Sequence, residues 1–147
     1  MRSRPVIPMV LMALLPGTVL GQDSAAVTVT TVAQYEAALA SLALDHTTAL
    51  VGITADWCAH CQAIKAQVLP DSAVQEMLVG IPLISVDVTA ADDDTADILT
   101  HLEAWGPPTF FIIDLAAGAE QPQTRSLGMF TVEDLSHRLA PFAVPDI

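Results

Sequence analysis

Trp57-Cys58-Ala59-His60-Cys61 constrains this chain more than any other stretch, because it holds both of the protein's cysteines. Two thiols separated by two residues close too small a loop to staple a fold. They are well placed to make and break a disulfide with each other. The compact apolar run Ala49 to Thr54 just before them reads as a buried strand, and Cys58 to Leu69 reads as a helix, with Ile64 and Val68 four apart and Pro70 at its end. The cysteine pair is therefore expected where a strand gives way to the first turn of a helix.

The first backbone N–H groups of a helix lack partners, and the helix dipole favours an anion there. A thiolate at Cys58 would sit in that field, so its pKa is expected below the ordinary thiol value. Cys61, one turn on and facing the same side, is expected to be more buried and ready to attack a mixed disulfide formed at Cys58. These positions make Cys58 the attacking thiol and Cys61 the resolving thiol. Trp57 would shield one side of the pair and offer a flat apolar contact to a partner. His60 could stabilise the adjacent thiolate as an imidazolium, or be an exposed polar residue of the helix. Asp56 could serve as a local acid, or be a turn residue before the helix.

A structural Cys-x-x-C pair that binds metal is the competing reading. A zinc site takes four ligands, usually from two such pairs, and His46, His101 and His137 are scattered at no ligand spacing. The sequence thus gives no expectation of a metal, nor of any cofactor beyond the disulfide itself.

The remaining elements follow from pattern. Ala26 to Thr31 alternates as a short strand, and Thr31 can cap a helix from about Val32 to Leu44. Ser72 to Val79 adds a helical turn or two before an apolar strand at Leu83 to Val88. Asp92, Asp93 and Asp94 read as a solvated loop leading into a helix over Thr95 to Leu102. Thr109 to Asp114 is a strongly apolar strand, and a turn near Gly118 leads to a partner strand around Thr124 to Gly128. A last helix spans Val132 to Leu139, with Thr131 as cap and Asp134 completing a variant capping box. Strands and helices in alternation predict an α/β fold, a mixed sheet with helices on both faces, closed by an antiparallel pair. At 147 residues with 52% hydrophobic content, one domain over residues 22–147 accounts for the chain after its leader.

That leader is residues 1–21. Met1-Arg2-Ser3-Arg4 is a short basic start, and Pro5 to Leu20 is uncharged and mostly apolar. The run falls short of the roughly 20 residues that span a bilayer, which favours a signal peptide. Val19 and Gly21 put small residues at the positions a signal peptidase reads, so cleavage after Gly21 is expected, with Ala26 a second option and an uncleaved anchor the rival. Export would place the domain in the periplasm or another compartment that permits disulfide chemistry. Removal of Arg2 and Arg4 leaves Lys65, Arg125 and Arg138 against all 17 acids. Such a surface argues against nucleic acid or an anionic membrane as a partner.

Ala55-Asp56-Trp57-Cys58-Ala59-His60-Cys61, Asp87-Val88-Thr89-Ala90, Gly106-Pro107-Pro108-Thr109 and Gly128-Met129-Phe130 together resemble the thioredoxin family. Within it they most resemble the C-terminal periplasmic domain of the transmembrane thiol:disulfide interchange protein DsbD. The resemblance runs from about Val27 to Leu139. It implies a thioredoxin-like fold and a protein-disulfide reductase working through a Cys58/Cys61 couple. It also implies protein disulfide clients, a dithiol electron donor such as a membrane thiol reductase, and a monomer.

The resemblance makes Pro108 a cis-proline facing the disulfide and shaping the substrate groove, with Thr109 opening the next strand. Three departures from the family pattern bear on the chemistry. Pro107 has no N–H to donate to a bound substrate. Gly52 stands where thioredoxins and the DsbD domain have an acid under the site, and Lys65 stands where the DsbD domain has a second acid. Losing a nearby carboxylate and gaining an ammonium both favour a thiolate at Cys58, which makes the disulfide more oxidising. A disulfide oxidase or isomerase is therefore the enzymatic alternative, and a metal carrier or binding module that kept the motif is the non-enzymatic one.

Overall fold

The computed structural model describes residues 26–143, so the expected signal peptide at residues 1–21 lies outside the described residues. The sheet is built around the apolar run at the chain's centre. β1 (Val27–Val29), β2 (Thr48–Thr54) and β3 (Leu83–Asp87) run parallel in the order β1-β3-β2. β4 (Thr109–Asp114) pairs antiparallel on the free side of β2. Two short strands then pair with the outer side of β4: β5 (Ala119–Glu120) at its far end and β6 (Ser126–Leu127) at its start. The closing strand expected around Thr124 to Gly128 is present as the shorter β6, and β5 forms in the stretch expected to be the turn, at the other end of β4.

The helices cover both faces. α1 (Val32–Leu42) and α4 (Asp93–His101) pack on one, over Val51, Ile53, Val86 and Phe111. α3 (Ser72–Met77) and α5 (Val132–Leu139) pack on the other, over Leu50, Phe110 and Ile112. Because β2 is buried on both faces, its side chains read as a continuous apolar run instead of alternating.

Each long helix starts on a side-chain cap. Thr31 Oγ1 accepts the Gln34 N–H at 3.2 Å, and Thr131 and Asp134 form a reciprocal capping box. The acidic run before α4 is more than a solvated loop: Asp92 Oδ1 accepts the Thr95 N–H at 3.0 Å as the cap, while Asp93 and Asp94 form the first turn. The helix therefore begins at Asp93, not at Thr95, and its first-turn carboxylates face the positive end of its dipole.

The helix expected from Cys58 to Leu69 is two segments. α2 (Ala59–Ala63) is α-helical and Ile64–Val68 is π-helical, with the Leu69 N–H reaching the Ile64 carbonyl at 3.0 Å. Ile64 and Val68 still bury on the same face. Among the described residues, no helix is long and apolar enough to cross a membrane.

Candidate active site

β2 ends at Thr54, and the chain turns through Ala55, Asp56 and Trp57 into α2. The Cys58 N–H returns to the Ala55 carbonyl at 3.2 Å, which sets Cys58 as the N-cap of the helix. Cys58 and Cys61 are joined in a disulfide, with their Cα atoms 5.2 Å apart. The Cys61 N–H donates to Cys58 Sγ at 3.1 Å. Cys58 is therefore the residue whose sulfur occupies the place of a capping oxygen, facing an otherwise orphaned helix N–H. The two cysteines are unequal in access: Cys58 is 8% exposed and Cys61 is 1%.

The turn before the helix is tied to the chain after β3. Thr89 Oγ1 accepts the Asp56 N–H at 2.9 Å, and the Thr89 carbonyl accepts the Trp57 indole N–H at 3.2 Å. Thr89 is itself held by Asp87, whose Oδ1 accepts its N–H at 2.9 Å. Trp57 is thus anchored at its polar tip while the residue as a whole stays 61% exposed. The Asp56 carbonyl faces the Gln62 amide at 3.4 Å, so this residue serves the turn through its backbone.

The second wall comes from the loop before β4. Thr109 pairs with Ile53 on β2 and with Leu127 on β6, which puts Pro107 and Pro108 at the same end of the sheet as the disulfide. The Pro107–Pro108 peptide bond is cis. Thr109 Oγ1 donates to the Gly106 carbonyl at 2.7 Å, and the Pro108 carbonyl accepts the Gly128 N–H at 2.9 Å. Pro108 and Thr109 are buried and Pro107 is half-buried.

His60 and Lys65 are exposed, the first on α2 and the second on the π-helical segment. Among the described residues, Lys65 takes part in no ion pair, and no group of three His, Cys, Asp or Glu side chains is placed to hold a metal.

Sequence reasoning missed why residue 52 is glycine. Gly52 lies opposite Phe110 in the β2–β4 register, and a Cβ at Gly52 would stand 2.5 to 3.0 Å from three atoms of the Phe110 ring. That ring stacks edge-on against Phe130 with centroids 5.1 Å apart. The place that a residue-52 side chain would enter, in the core shared with Ile64 and Val68 of the segment after Cys61, is filled by an aromatic ring. The pair of adjacent phenylalanines after Thr109 was visible in the sequence, but only the strand register says which of them covers Gly52.

Comparison with known proteins agrees with this architecture. The family model described as Thioredoxin-like matches residues 30–114. The thiol:disulfide interchange protein DsbD of Escherichia coli K12 is 33% identical over 90 residues, 61% of this chain and 16% of that protein. The DsbD of Shigella boydii serotype 4 is 32% identical over the same length. This chain therefore spans only a small part of the curated relatives it matches. Among solved structures, the oxidised DsbD C-terminal domain of Neisseria meningitidis superposes with a TM-score of 0.66 at 21% identity, covering 80% of this chain and 98% of that one. A thioredoxin from Thermus thermophilus gives 0.60 at 22%, covering 80% and 86%. At these identities the structural likeness is one of fold. With the family model matched over more than half its length and a Cys-x-x-Cys disulfide capping the helix after the central strand, this chain belongs to the thioredoxin-like family of thiol:disulfide oxidoreductases.

Proposed function

We propose that this protein is an exported thiol:disulfide oxidoreductase whose Cys58/Cys61 couple reduces protein disulfides in the periplasm, or relays electrons to them. The observation that carries the reading is the asymmetry of the pair. Cys58 is the more accessible residue, and its Sγ accepts the Cys61 N–H. Cys61 is shut in behind it.

In the reduced protein the Cys58 thiolate attacks one sulfur of a client disulfide. The client S–S bond breaks, a Cys58–client mixed disulfide forms, and the client's other sulfur leaves as a thiolate that takes up a proton. Cys61, deprotonated, then attacks Cys58 Sγ, closing the Cys58–Cys61 disulfide and releasing the second client thiol. Two electrons and two protons pass to the client. A dithiol donor restores the pair by the same exchange in reverse. Pro108 borders the groove in which the client lies, and Trp57 gives it a flat apolar wall. Pro107, lacking an N–H, offers the client only its carbonyl.

Export is supported by the basic start and the apolar run Pro5 to Leu20, and the periplasm by similarity to DsbD. A disulfide oxidase or isomerase is the second reading. It is favoured by the Phe110 ring, which fills the space a carboxylate at residue 52 would need, and by His60 beside Cys61.

Insulin reduction by dithiothreitol, catalysed by the full chain, tests the proposal. Cys58→Ser is expected to abolish catalysis, and Cys61→Ser to accumulate a covalent mixed disulfide with the client. A Cys58→Ser variant that kept the wild-type rate would overturn it.

A further inference from the structure

The loop that carries Pro107 and Pro108 is clamped at both feet by one short segment, and its apex is an aromatic side chain in open solvent. At the first foot α4 closes with the Glu103 N–H on the Thr100 carbonyl at 3.1 Å and the Ala104 N–H on the Leu99 carbonyl at 2.9 Å. Glu103 sits at φ +50°, in the left-handed position where glycine is usual. This closure leaves the Leu102 and Glu103 carbonyls without helical partners, and Arg125 takes both. Its Nη2 donates to the Leu102 carbonyl at 2.9 Å and its Nη1 to the Glu103 carbonyl at 3.2 Å. Its Nε and Nη2 also hold the Glu120 carboxylate, at 2.9 and 2.5 Å, and its guanidinium lies over the Phe111 ring 4.7 Å from the centroid. A planar fork held on three sides is a fixed object, which a lysine could not reproduce.

Three residues further on, the Gly128 N–H grips the Pro108 carbonyl at the second foot. Between the feet, Trp105 is 99% exposed. Leu127 and Met129, on the clamping segment itself, are 67% and 45% exposed. With Trp57 they make up four of the six large hydrophobic side chains that are exposed among the described residues, and all four flank the disulfide end of the sheet.

We propose that Arg125 is a positioning residue for client recognition: it holds the Ala104–Pro107 arch so that Trp105 presents a rigid apolar contact to the polypeptide flanking the client's disulfide. This rests on the exchange function proposed above. The occupant is a polypeptide with an apolar residue beside its disulfide, because these four exposed apolar side chains lie at the end of the sheet that carries Cys58. A rigid aromatic loses little conformational freedom on binding, so it gives up little affinity as entropy provided its backbone is held still.

The test uses the full chain and two readouts. With insulin as client, Arg125→Met is expected to raise KM about tenfold with kcat within twofold, while the reaction of the reduced protein with the small disulfide DTNB stays within twofold. Arg125→Lys is expected to fall between the two. Trp105→Ala is expected to raise KM as well, and Arg125→Met to add nothing in that background. If Arg125→Met does not fold, Glu120→Gln, which weakens the hold on the guanidinium, carries the same expectation at reduced size. An unchanged insulin KM, or equal losses towards insulin and DTNB, would overturn the proposal. The second readout needs no client: in a Trp57→Phe background Trp105 is the one remaining tryptophan, and Arg125→Met is expected to lower its fluorescence anisotropy. Inactive wild-type protein would count against the proposed function, whereas unchanged anisotropy would refute the clamp whatever the activity.

Discussion

Replacing Gly52 by alanine puts one methyl group where the Phe110 ring already lies. The new Cβ would be 2.5 Å from Cε1, 2.8 Å from Cζ and 3.0 Å from Cδ1 of that ring, against an ordinary carbon–carbon contact of about 3.5 to 4.0 Å. The ring must therefore retreat by roughly 1 Å, the difference between these contact distances. It has little room to do so, being 2% exposed and stacked against Phe130. Overpacking of this kind costs about 1 to 3 kcal/mol, offset by the roughly 0.5 to 1 kcal/mol that alanine gains over glycine inside a strand. The expected net effect is a loss of up to about 2.5 kcal/mol. In a Phe110→Ala background the methyl group meets no ring, so the same change should be neutral or stabilising by up to about 1 kcal/mol. Urea unfolding of the four oxidised proteins gives the coupling between the two sites, expected at about 1 to 3 kcal/mol. If Gly52→Ala costs the same in both backgrounds, the ring is not what keeps residue 52 small, and the account of the missing acid fails. Gly52→Asp is expected to be worse than Gly52→Ala, because it adds an unpaired buried carboxyl to the same clash.

Other expectations follow from the same geometry. Tyr35 is the one tyrosine of the chain, and burial first, then the Glu120 charge, pushes its hydroxyl up to about 12. Absorbance titration at 295 nm should show no phenolate near pH 10. The linked stability is intact below about pH 10, the ordinary tyrosine value, and is lost as pH rises from there through about 12; ionisation at the ordinary value would contradict the burial. Thr131→Ala removes the cap of α5 and should lower stability by about 1 kcal/mol, measured by thermal unfolding at neutral pH. Hydrogen bonds from the Thr131 backbone and hydroxyl hold the Asp134 carboxyl below its ordinary value, so its contribution is present above about pH 4 and lost as pH falls through the lowered value. Thr131→Ala should therefore flatten the acid limb of the stability curve, and an unchanged limb would argue against the capping box.

How much the sequence revealed depended on the range of the interaction involved. β2 and the helix start at Cys58 were legible because burial on both faces gives an unbroken apolar run, and the cysteine spacing of one turn needs no distant partner. The caps at Thr31 and Thr131 were legible for the same reason, since each satisfies an N–H three residues away. The start of α4 was misplaced because three aspartates in a row read as a loop, when one is a cap and two complement the dipole. Periodicity also missed the π-helical segment: Ile64 and Val68 bury together there as they would in an α-helix, while the backbone hydrogen bonds reach one residue further. Gly52 under Phe110 and Arg125 at the end of α4 were out of reach altogether. The first depends on a strand register and the second on contacts spanning 22 and 23 residues, and neither leaves a local pattern.

The redox potential of the Cys58/Cys61 couple tests the central claim most directly. The full chain would be equilibrated in thiol and disulfide buffers of graded ratio, and the oxidised fraction read by trapping free thiols. A protein that reduces client disulfides should titrate near thioredoxin's value of about −270 mV. A potential near about −120 mV would contradict that account and make the pair an oxidant.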